Sequence, residues 1–163
     1  EAETLQFSEW SAPVNLGPVV NSTTTDIEVS ISKDGLSLYL ASNRPGGFGG
    51  FDLWVSRRAS VSDPWGAPQN LGPTVNTAAN EQAPFLTIDG HQLYFFSNRE
   101  GGFGLNDLYV ARRHDKDDDF GWQAPANLGS GVNSAFNENL SARFENTLYF
   151  NSNRPGRAGG TDI

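Results

Sequence analysis

Residues 65–110 read WGAPQNLGPTVNTAANEQAPFLTIDGHQLYFFSNREGGFGLNDLYV, and this stretch holds one full unit of a pattern that fills the chain. Asn-Leu-Gly begins five residues after a tryptophan three times, at Trp10, Trp65 and Trp122, and ends on Gly17, Gly72 and Gly129. Ser-Asn-Arg recurs at Ser42, Ser97 and Ser152, 55 residues apart. A fixed period of about 50 residues marks one supersecondary unit used repeatedly.

Within the unit the apolar period is two rather than 3.6. Residues 27–32 (IEVSIS) place apolar side chains at alternate positions, the mark of a half-buried strand. Asp34-Gly35 and Asp89-Gly90 then supply turn chemistry, and Glu145-Asn146 a tighter turn in the third copy. Second strands are expected at residues 38–40, 93–96 and 148–150. Third strands are expected at 52–55 and 107–110, after glycine-rich loops. The tryptophan-led segment reads as a fourth, outer strand. Four short strands in meander order, repeated, describe β-propeller blades. The usual solenoid repeats are shorter, and no helix-period segment is present.

The chain is therefore read as all-β, a propeller of four-stranded antiparallel blades with three repeats of about 55 residues. Residues 1–7 form a leader. An outer strand over 8–17 precedes a blade over 26–72, a second blade over 81–129 and an incomplete one over 138–163. Closed propellers use about four to eight blades. Three repeats imply either part of a longer ring or half of a six-bladed ring completed by a homodimer, because open sheet edges invite pairing.

The 163 residues carry a net charge of −8, which argues against a nucleic-acid backbone as partner and against an anionic membrane surface. No apolar run approaches the ~20 residues of a membrane span. Cysteine is absent, so packing alone holds the fold. Methionine is absent too, which suggests a matured or excised chain, with export and signal-peptide removal as the expected history.

Taken together, Trp-x-x-Pro-x-Asn-Leu-Gly, Asp-Gly-x-x-Leu-Tyr-Phe-x-Ser-Asn-Arg-x-Gly-Gly-x-Gly and Asp-Leu-Tyr-Val resemble the WD40-like β-propeller repeat of TolB-type bacterial proteins. The resemblance spans essentially residues 9–163. It implies a propeller and an extracytoplasmic, periplasmic or secreted, bacterial setting. It implies no particular chemistry. The third copy departs from the pattern, with Arg157-Ala158 in place of Gly-Phe.

Strand order places the loops 20–26, 75–81 and 132–138 at the same end as the glycine-rich loops 43–51, 98–106 and 153–161. Ligands of propellers commonly bind at such an end. Asn21, Asn76 and Asn133, Arg44, Arg99 and Arg154, the acids Asp26, Glu81 and Glu138, and Asp52, Asp107 and Asp162 recur there. Two readings stand: guanidinium–carboxylate bridges between neighbouring blades, or a ring of charges lining a channel. Positions that differ between copies point more directly to a ligand. Phe48 and Phe103 sit at loop tips, exposed for a glycan or peptide or folded inward as plugs. Phe136 and Asn137 break the pattern of the second copy. The candidate ligand-binding set is Arg44, Phe48, Asn80, Glu81, Arg99, Phe103, Phe136, Asn137, Glu138 and Arg154.

Gly46 to Asp52 resembles a calcium-binding β-roll repeat but is one residue too long and does not recur at adjacent turns, so it is read as turn chemistry. Asp115, Asp117 and Asp119 alternate in an acidic run that forms either a calcium site or a solvated hairpin tip. Calcium there is the only cofactor considered. Signals for catalysis are thin: His91 and His114 lack metal-ligand spacing, and no Gly-x-Ser-x-Gly elbow occurs. Glu81 and Glu138 on adjacent blades resemble a glycosidase pair, which needs carboxylates about 5 to 9.5 Å apart. The expected function is a non-catalytic module recognising a protein or glycan. A polysaccharide lyase or glycoside hydrolase and a pure scaffold are the alternatives.

Overall fold

The computed structural model describes residues 10–144, 147–156 and 158–163. The leader 1–7, Ser8, Glu9 and the turn at Glu145-Asn146 lie outside the described residues. Among the described residues there are ten strands and no helix.

The strands form three antiparallel sheets in chain order. The first contains β1 (Asp26–Ile31), β2 (Ser37–Ser42), β3 (Asp52–Arg57) and β4 (Gln69–Asn70). The second contains β5 (Glu81–Leu86), β6 (Gln92–Ser97), β7 (Asp107–Arg112) and β8 (Ala126–Asn127). The third contains β9 (Glu138–Phe144) and β10 (Thr147–Ser152). Each sheet is a meander of sequential neighbours. Register repeats as the sequence does: Ser42 faces Asp52, Ser97 faces Asp107, and Ser152 bridges Asp162. The Asp-Gly turns form as expected, with Gly35 and Gly90 at φ of 74° and 75°, which glycine adopts without steric penalty.

The outer segment is shorter than the sequence suggests. Only two residues pair in β4 and in β8, against β3 and β7. Pro68 and Pro125, just before them, offer no N–H to extend the ladder. In the first copy, residues 10–17 form no strand at all. No third strand of an earlier sheet lies beside them among the described residues.

The sheets stack through their first strands. β5 packs onto β1, β2 and β3, and β9 packs onto β5, β6 and β7. The first and third sheets do not meet among the described residues. One face of the first sheet (Tyr39, Ala41, Leu53, Val55) meets Leu86, Leu93, Phe95 and Tyr109 of the second in a continuous buried core. β1 and β5 both carry bulges, and Glu28 and Ala83 occupy φ of 51° there. Glu28 Oε2 accepts the Ala83 N–H at 2.8 Å, and Ser30 Oγ accepts the Leu86 N–H at 3.0 Å. Side chains thus join adjacent first strands where no ladder exists.

Candidate functional site

The recurrent residues form one wiring scheme. Asn70 Oδ1 accepts the Gly72 N–H at 2.8 Å, an Asx turn that draws the chain into the left-handed Gly72. The same oxygen accepts Asn76 Nδ2 at 2.8 Å, and Asn70 Nδ2 donates to Asp52 at 2.9 Å. Asn76 then pairs with the backbone of Leu53, accepting its N–H and donating to its carbonyl. Asn127, Asp107 and Asn133 repeat these bonds around Leu108. Asn-Leu-Gly recurs because its asparagine fastens the turn, the third strand and the following loop together.

Asp52 also organises the glycine-rich loop. Its carboxylate accepts the N–H groups of Phe48 and Gly49 at 2.5 and 3.2 Å, and Asp107 accepts that of Phe103 at 2.5 Å. These loops fold over their own carboxylates, in keeping with turn chemistry. They also lie against the next repeat: Gly50 N–H donates to Ala79 O at 3.0 Å and Leu105 N–H to Phe136 O at 3.1 Å. The two loop sets expected to share one end are in direct contact.

The acids and arginines of this end pair within a sheet, not between sheets as the bridging expectation held. Arg44 bonds Asp26 at 2.6 Å, Arg99 bonds Glu81 at 3.2 Å, and Arg154 bonds Glu138 at 3.0 Å. The reason is register: the arginine lies two residues beyond a serine that faces the acid across the first two strands, so Ser42, Ser97 and Ser152 hold both partners. Each arginine also donates to a loop carbonyl, of Val20, Val75 or Val132. The acid's remaining lone pairs go to Ser22, Thr77 or Ser134, four residues upstream. Glu81 and Glu138 are both 0% exposed. Burial alone raises the Asp26 pKa, but the bonds from Ser42, Ser22 and Arg44 outweigh it and hold the group at about 2. Glu138 is lowered by the same balance of burial against Ser134, Ser152 and Arg154. Glu81 and Glu138 are thus turned into their own loops rather than toward a shared opening.

What this end presents to solvent is apolar and amide-rich. Phe48 is 49% exposed and Phe103 is 50% exposed. Asn80 and Asn137 are half-buried: Asn80 Oδ1 accepts the Phe51 N–H at 3.0 Å, and Asn137 forms a bridge with Asn106. Phe136 is half-buried. Residues 77–79, before β5, and 98–100, after β6, line an open hollow of about 410 Å³.

The acidic run divides. Asp119 is 3% exposed and accepts bonds from Ser37 Oγ, Arg57 Nε and Arg113 Nη1 at 2.6–2.7 Å, as well as from the Tyr39 hydroxyl. Asp117 pairs with Lys116 at the surface, and Asp115 accepts the Asp117 N–H. Among the described residues no group of three His, Cys, Asp or Glu side chains is placed to hold a metal. Asp119 instead joins a loop of the second sheet to β2 and β3 of the first. Arg113 stacks on Trp122 at 4.4 Å, and Trp122 meets Tyr39 edge-on at 6.2 Å. Sequence reasoning missed this latch. Its signal was a length difference, since Trp65 follows Arg58 by seven residues and Trp122 follows Arg113 by nine. His91 and His114 sit at the turn end, bonded to Arg113 O and to Gln123.

No protein-family model matches the chain, and no curated protein matches it in sequence.

Proposed function

We propose that the chain is a non-catalytic binding module of the β-propeller type, which recognises a protein or glycan at the end where its glycine-rich loops meet the loops of the following repeat. The carrying observation is a division of labour at that end. The recurrent acids are buried in bonds to their own sheet, whereas Phe48 and Phe103 stand about half exposed on loops held from beneath by Asp52 and Asp107. Rigidly held aromatic tips bind at low entropic cost. The blade reading draws support from two four-stranded meanders and a following hairpin in one register, the second and third packing their first strands on the sheet before. The repeat motifs carry the likeness to TolB-type proteins, and with it an extracytoplasmic site of action.

The test is a comparison of two double variants by thermal shift. Phe48→Ala with Phe103→Ala is expected to fold with little change in Tm and to lose the stabilisation given by ligand. Glu81→Gln with Glu138→Gln is expected to lower Tm while ligand still stabilises the folded fraction. The reverse pattern, with ligand response abolished only by the glutamate changes, would overturn the reading.

A further inference from the structure

The hollow lined by residues 77–79 and 98–100 differs from the matching positions of the other repeats at two places, and both changes suit a ligand. Ala79 lines it, whereas the matching residue of the third copy is Phe136, whose ring is half-buried at the next junction. Glu100 lines it, whereas the other copies carry Pro45 and Pro155. A methyl group in place of a ring opens space. A carboxylate in place of a proline adds acceptors. The volume of about 410 Å³ lies in the ~300–1,000 Å³ range of small-ligand sites.

Two loops that carry aromatic tips adjoin the lining of this space. The loop bearing Phe48 is fastened to Ala79 by the Gly50 N–H. The approach is so close that a Cβ on Gly49 would fall 2.0 Å from Ala79 O. The loop bearing Phe103 leaves the hollow directly after Glu100. Polar groups of both kinds line the floor. Asn98 is exposed, and its Oδ1 accepts the backbone N–H and an Nδ2–H of Asn80. Glu100 is exposed and offers only acceptors. Arg99 beside it is already paired with Glu81 at 3.2 Å.

We infer that this hollow binds a neutral glycan, whose hydroxyls bond Asn98 and Glu100 and whose chain reaches the aromatic tips of the adjoining loops; the inference rests on the loop-end reading above. An anionic ligand would meet the Glu100 carboxylate, and a cationic one would find no use for the Asn98 amide donors. An uncharged polyhydroxy ring uses donor and acceptor alike, and its C–H faces match the exposed phenyl rings.

The test is electrophoresis of the 163-residue chain through native gels containing β-glucan, xylan or galactomannan, with polygalacturonate as the anionic comparison and immobilised polylysine as the cationic one. Retardation by at least one neutral polysaccharide is expected, and its loss in Ala79→Phe and in Phe48→Ala. Ala79→Phe installs the residue the third copy already carries, and an unchanged melting temperature verifies that it folds. If mobility is unaltered by every neutral polysaccharide, or if Ala79→Phe is retarded as strongly as the parent, the glycan inference is overturned. Binding only to polygalacturonate or polylysine, abolished by Ala79→Phe, overturns the glycan and preserves the loop-end site. Binding that survives both Ala79→Phe and Phe48→Ala overturns the loop-end site as well.

Discussion

Replacing Asp119 by alanine would leave the 1%-exposed Arg113 guanidinium without its carboxylate. Breaking a buried ion pair from one side costs about 3–5 kcal/mol, a loss that equilibrium urea unfolding would register. Arg57, 44% exposed, can turn to water, so Arg57→Ala should cost far less. Acid sensitivity follows from the same kind of residue. Asp26 titrates at about 2 when folded, below its ordinary 3.8, so its stabilising effect is complete above about pH 4 and fades as the pH falls toward 2. Asp119 and Glu138 are lowered as well, and act in the same direction. An acid titration of stability should fall steeply in that window, and Asp26→Asn should flatten the slope. At this scale the sequence was readable where the cause is local: the Asp-Gly turns follow from two adjacent residues. Asp119 was not, because one acid among the neighbouring charges of 115–119 is selected by Tyr39 and Arg113, and Tyr39 belongs to the other sheet.

The strands themselves were legible because alternation and turn residues decide them, and their register repeats with the sequence. The outer strand was overextended for want of one consideration, that prolines 68 and 125 halt pairing. Single side chains reinforce the backbone bonds that connect the repeats. Asn76 serves as an added rung beside β3, and Asn76→Ala would orphan the buried Leu53 N–H, at about 1–3 kcal/mol, while the Leu53 carbonyl keeps the Leu71 N–H. Asn21, whose side chain bonds the exposed Asn15, should lose little when changed in the same way. Glycines divide similarly. Gly49→Ala drives a Cβ against Ala79 O and Thr77 O, and is expected to cost about 1–3 kcal/mol. Gly131, with open space around it, should accept alanine within about 0.5 kcal/mol. Thermal melts of the four variants check this ranking.

Across the molecule, equivalent positions have unequal surroundings. Leu86 is 5% exposed against the first sheet, whereas its counterpart Ile31 is 52% exposed, and Val29 beside it is bare too. That face of β1 repeats the surface by which β5 docks, so self-association in solution is expected to use it. Light scattering should show a mass that rises with concentration, and Val29→Lys with Ile31→Lys should hold the chain at the mass of one copy. A parent chain that stays monomeric at all concentrations would remove the dimer from the account. The loop end was half legible. Its loops were expected, and Phe48 and Phe103 take the exposed one of two arrangements the sequence left open, but Glu81 and Glu138 turned inward because Thr77, Ser134 and the paired serines saturate them. The most direct test of recognition at this end is amide chemical-shift mapping on the ¹⁵N-labelled chain, titrated with hexasaccharides of β-glucan, xylan and mannan. Shifts gathered at Phe48, Ala79, Asn98, Glu100 and Phe103 are the predicted result. Shifts gathered at Gly35, Gly90 and His91 on the turn end, or no shifts at all, would contradict it.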